Sequence, residues 1–274
     1  MVNNKISISI AGASTFNLKS ILISLKLKKI NITVYDGPNR CAWNGGRINR
    51  DINITKKDIG DYNKLGVRVS LTFTNPVIDL KDKTGLKLLE LLSFNKNKNN
   101  NSKTINEIIL VNDDFRIFLR DNYNFILKYS ITGHKNYTSF LSREEIKEYY
   151  KDLFSKYDKV VIHSELAPKR WFIEFLHEYN YLIKAEVIIN IIKGCSFCPK
   201  YKEHYELIAS DSNNPKVMYC ILDDVPKDLV NQFYNPRTKK LLIEIYNIKF
   251  EGRSGTEKEF LKHSQFFNTI KDIL

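Results

Sequence analysis

The chain has 274 residues, of which 43% are hydrophobic and 27% charged. These are ordinary proportions for a globular protein and exclude a disordered chain or a fibrous repeat. The 43 basic residues outnumber the 31 acidic ones by twelve, a balance that suits nucleic acid or another polyanion. The excess is nearly all Lys and comes with many Asn and Ile, as in NKNKNNN and LKLKKINI, the usage an AT-rich genome writes into any protein.

Short β-branched or aromatic runs alternate with longer amphipathic ones. The strand candidates are residues 5–11, 31–36, 66–73, 107–112, 125–131, 159–164, 183–190 and 246–250. Between them lie helical patterns. One runs from Phe16 to Lys28. A second opens near Thr55, with Asp58 three residues on as a capping partner. Leu86, Leu89 and Leu92 have i, i+3 spacing, and Ser142 with Glu145 forms a capping box for a helix running to about Tyr157. Trp171, Phe172, Phe175 and Leu176 line one face of the next helix and read as packing residues. Residues 95–102, a low-complexity segment, precede a strand and read as a loop on the face opposite the site. Eight strand–helix units predict one (β/α)8 TIM-like barrel domain over 1–274, with parallel apolar strands covered on both faces. A doubly wound open sheet is the alternative, and no GxGxxG stands after the first strand to support it. No apolar run reaches the roughly 18 residues of a membrane span. The N-terminus lacks a secretory pattern, and four cysteines are too few for a disulfide scaffold. The expectation is a cytoplasmic protein that does not engage membranes.

In such a barrel the chemistry sits at the C-terminal ends of the strands. At and just beyond those ends stand Asp36; the segment Cys41-Ala42-Trp43-Asn44-Gly45-Gly46-Arg47; Asn75; Asp113; His134; His163 with Glu165; and Glu251-Gly252-Arg253. In WNGGR the two glycines let backbone approach a ligand and form an anion nest. Arg47 then holds a carboxylate or phosphate, and Trp43 stacks on a planar ring. The competing reading is a tight loop with a packed Trp and a surface Arg. His163 and Glu165 lie two apart and so share one face of a strand end. They read as an acid–base pair or as a hydrogen-bonded pair of the rim. His134, His177 and His263 read as solvated or helix-surface residues.

The cysteines carry the sharpest signal. Cys195-x-x-Cys198 turns two thiolates to one centre, with His204 and Cys220 beyond it, in a metal loop over about 194–221. Cys195, Cys198, Cys220 and His204 make a closed zinc set. With Cys41 in place of His204 the set is four thiolates, which suits an iron–sulfur cluster.

The Cys195–Cys198 pair, Cys220 and the strand Lys249-Phe250-Glu251-Gly252-Arg253 resemble the C-terminal half of the collagenase-like peptidase family. The segment YNKLGVRVSLTFTN resembles that family's early strand ending in Asn. The resemblance implies a TIM barrel carrying a 4Fe–4S cluster and oxygen-independent hydroxylation of a tRNA or rRNA base or a ubiquinone precursor, with prephenate as oxygen donor in several members. The chain departs from the family in its tight cysteine spacing, in WNGGR, and in being short. The reading is therefore an enzyme that modifies a nucleic-acid base or a related planar anionic substrate. Arg47 and Arg253 bind anionic groups, Trp43 and Asn44 line the pocket, Asn75 and Glu251 fix the ring's edge, and Asp36, Asp113 and Glu251 are candidate catalytic groups. Two alternatives remain. One is a zinc-bearing base-exchange enzyme resembling tRNA-guanine transglycosylase, with Asp36 or Asp113 as nucleophile. The other is a non-catalytic binding protein with structural zinc.

Overall fold

A computed structural model describes residues 7–12, 30–38, 41–44, 54–93, 104–134, 142–189 and 236–250. The predicted helix from Phe16 to Lys28 and the loop at 95–102 lie outside these residues. Eight parallel strands close into a barrel in sequence order. They are β1 (Ser7–Ala11), β2 (Asn31–Asp36), β3 (Arg68–Phe73), β4 (Glu107–Leu110), β5 (Ile126–Tyr129), β6 (Lys159–Val161), β7 (Ala185–Ile188) and β8 (Asn247–Phe250). The described helices are α1 (Lys56–Lys64), α2 (Lys83–Ser93), α3 (Asp113–Asn122), α4 (Arg143–Lys156), α5 (Arg170–Glu178) and α6 (Pro236–Ile245). The predicted eight-strand (β/α)8 architecture is what the chain adopts.

The boundaries move for local reasons. Gly66 has φ 72, a left-handed turn residue, so β3 starts after it. Asn112 leaves β4 early and caps α3, accepting the Phe115 N–H at 2.7 Å. Ser130 ends β5 by capping the 3-10 turn Ile131–Gly133. Thr55 and Asp58 form the expected reciprocal capping box, and Ser142 accepts the Glu145 N–H at the start of α4.

One expectation is corrected. The strands are not apolar on both faces; they alternate. Ile8, Ile10, Ile32, Val34, Val69, Leu71, Phe73, Ile108, Leu110, Val187 and Ile248 face the helices in one buried cluster. Each such side chain contributes about 1.5–3 kcal/mol by leaving water. The positions between them point into the lumen and are mostly polar. In an eight-strand barrel the strand tilt advances the level by about one residue per strand, so alternate strands supply layers of four. Applied to the pairing registers, this gives Thr33, Glu107, Lys159 and Asn247 nearest the N-terminal end. Ser9, Ser70, Lys128 and Glu186 form the next layer, then Tyr35, Ile109, Val161 and Lys249. Ala11, Thr72, Ser130 and Ile188 close the series at the C-terminal mouth.

Contacts between strands that are not neighbours can only cross the lumen, and they confirm the layers. Lys128 Nζ donates to Ser9 Oγ at 3.0 Å and to Glu186 Oε2 at 2.9 Å. Thr33 Oγ1 and Lys159 Nζ both donate to Glu107 Oε1, at 2.9 and 2.7 Å. Lys128 also lies 3.1 Å from Glu107 Oε2, and Arg68 3.7 Å from Oε1. Burial alone would push the Glu107 carboxyl up. Lys128, Lys159 and Arg68 outweigh it and hold Glu107 ionised, well below the carboxylate range. Burial likewise opposes the charge on Lys128, but Glu107 and Glu186 raise it above the ordinary lysine value. For Lys159 burial wins: against Glu107, and with Lys128 adding to the effect, it pulls the amine below the ordinary value.

Candidate active site

All strands are parallel, so their C-terminal ends share one rim. The described part of WNGGR sits there as a 3-10 turn, Ala42–Asn44. Trp43 does not stack on a substrate. Its side chain is fully buried, its ring meets Phe73 edge-on at 5.4 Å and Phe115 at 4.8 Å, and its Nε1 donates to the Asp79 carbonyl. The ring is fully buried and its one polar atom is bonded within the protein, as a buried Trp requires. Of the two readings of this segment, the packed Trp is the one the structure shows.

Asn44 and Asn75 hold that turn. Asn75 Nδ2 donates to the Ala42 carbonyl at 2.8 Å, its backbone N–H donates to the Trp43 carbonyl, and its Oδ1 accepts from Val77. Asn75 is thus a clamp between loops and does not present an amide to a ring edge. Asn44 Nδ2 donates to the Pro38 carbonyl, which fixes the orientation of the amide. Asn44 Oδ1 is then buried with no hydrogen-bond partner.

The two described acidic candidates point away from the lumen. Asp36 pairs in register with Leu71, in the phase that faces the helices, and its Oδ1 accepts from Gly37 N–H. Asp113 is in the first turn of α3 with an exposed side chain paired to Arg116 at 2.6 Å. A hydrogen bond from that guanidinium holds its carboxyl below the ordinary value. Neither is positioned as a nucleophile at the barrel mouth.

His134 is not solvated, as its sequence context suggests, but only 8% exposed. Its Nε2 contacts the Val161 carbonyl, which can only accept, so Nε2 carries the proton and Nδ1 accepts from the Tyr149 hydroxyl at 3.1 Å. Burial drives its pKa down to about 3. His163 lies in the inward phase above Val161. Its Nδ1 accepts the Glu165 backbone N–H, its own N–H donates to the Tyr150 hydroxyl, and burial lowers it to about 4. The link between His163 and Glu165 therefore runs through the Glu165 backbone, which is the bond of a structural rim pair. Both histidines are neutral at pH 7.

Cys41 is buried beside Trp43. Burial pushes its thiol up to about 11, with Asp82 adding to the rise against a bond to the Trp43 backbone. Ligation by Cys41 would require the metal to draw off that proton. Cys195, Cys198, His204 and Cys220, with Arg47, Glu251 and Arg253, lie outside the described residues. Among the described residues no cluster of three or more His, Cys, Asp or Glu suits a metal ion, and no helix is long and apolar enough to cross a membrane.

Sequence reasoning missed the charged lumen. Its signal was present as charged residues within apolar strands, in EIIL, ILKY, AEVI and NIKF.

No family model and no curated protein matches the chain. Among solved structures, the chain is similar to one described as "The Structure of the U32 Peptidase Mk0906". The TM-score is 0.53 at 10% identity, over 93% of this chain and 96% of that one. At that identity the likeness shows a shared fold.

Proposed function

We propose that the chain is a barrel enzyme that modifies a nucleic-acid base or a related planar anionic substrate at the C-terminal rim, with a 4Fe–4S cluster as cofactor. The observation that carries this reading is the closed barrel itself. Over 93% of the chain it is similar in fold to a U32 peptidase, the collagenase-like family that the cysteines and the Glu251-Gly252-Arg253 strand end resemble. β7 ends at Ile188, so Cys195-x-x-Cys198 comes after a strand end on the functional rim. The donor chemistry suits a cluster, since Cys195, Cys198 and Cys220 are soft thiolate donors within one segment. Cys41 or His204 would be the fourth ligand: Cys41 completes the four-thiolate set of a cluster, the metal drawing off its proton, and His204 completes the zinc set. When bound, such a cluster supplies one-electron transfer. Arg47 and Arg253 would hold the substrate's anionic groups. Asn44, whose Oδ1 is a buried acceptor without a hydrogen-bond partner, would accept from a donor on the substrate.

Anaerobic purification tests the reading. Broad absorbance near 400 nm with iron and labile sulfide, lost in Cys198→Ser, is the expected result. Stoichiometric zinc without iron would reject the cluster and favour the zinc-bearing alternatives. The misplacement of Asp36 and Asp113 already counts against base exchange through those residues. Peptide hydrolysis, the activity in the neighbour's name, is the second reading, and hydrolysis by metal-free protein would favour it.

A further inference from the structure

We draw no further inference here: the strongest candidate, the pair of buried hydroxyls that Ser70 and Thr72 turn from β3 into the barrel lumen without a hydrogen-bond partner, carries nothing, because both oxygens are sealed among protein atoms and nothing beside them among the described residues shows what chemistry a ligand there would have.

Discussion

The two faces of the same eight strands obey different rules. Outside the barrel, Leu71, Phe73, Leu110 and Val187 meet the helices in an apolar cluster, where burial is non-directional and volume is what counts. Inside, Ser9, Glu107, Lys128, Lys159 and Glu186 are equally buried, and each contributes only while its partners are in place. Removing one partner of a buried pair leaves the other charge uncompensated, whereas replacing both with apolar groups is often close to neutral.

Lys128 is the sharpest place to break that contrast. It contacts both lumen carboxylates. Lys128→Met should cost about 3–5 kcal/mol in chemical denaturation. The double variant Lys128→Met, Glu186→Met should recover most of that. It removes the carboxylate stranded by the first change, while Glu107 keeps Lys159 and Arg68. On the outer face a second truncation beside the first adds to the loss. If the double variant is no better than the single one, the lumen behaves like the outer face and the contrast fails.

The rim histidines give the next effect, through pH. His134 has an ordinary value of 6.5 and sits near 3 in the fold, and His163 is lowered in the same direction to about 4. The native state keeps both neutral, so the unfolded chain binds more protons as pH falls. Their contribution is complete above pH 6.5 and is lost progressively below it. The Glu107 carboxyl, held below its ordinary 4.5, also loses stability on acidification, but in a lower window. Between pH 6.5 and 4.5 the decline should therefore belong to the histidines, roughly 2–3 kcal/mol for His134. Denaturation midpoints across this range should flatten in His134→Gln. An unchanged slope would mean that His134 titrates as it does in solvent.

Much of this architecture is legible in the chain and some of it is not, for physical reasons. β2 is read to the residue, because Asn31–Asp36 is a β-branched run closed by Gly37-Pro38. The Thr55 and Ser142 caps are local hydrogen bonds and need no knowledge of the fold. The lumen is harder. Lys128 and Glu186 are 58 residues apart, and nothing local says that their strands face one another across a barrel. Trp43 misleads for the same reason: a Trp in a Gly-rich loop looks free until Phe73 and Phe115, from other elements, close on it.

Two glycines in helices provide the smallest test of the contrast, and one carried entirely by the outer face. Gly60 lies inside α1, and a Cβ built there meets nothing within 4 Å. Gly60→Ala should therefore stabilise by about 0.4–1 kcal/mol, because alanine gives up less backbone entropy on folding. Gly85 lies in the first turn of α2, directly against the Trp43 indole, and a Cβ there would stand 2.4 Å from Cδ2 and Cε3 of its six-membered ring, far inside van der Waals contact. The ring cannot retreat, since Phe73 and Phe115 sit behind it and Asp79 holds its Nε1. Overpacking of this kind costs about 1–3 kcal/mol, and the gain in helix propensity offsets at most about 1. Gly85→Ala should be net destabilising by about 1–2 kcal/mol, opposite in sign to Gly60→Ala. It should also disturb near-UV circular dichroism from Trp43. A Gly85→Ala protein that is more stable than wild type would show that the Trp43 pocket yields, and that the rim turn it anchors is looser than its hydrogen bonds imply.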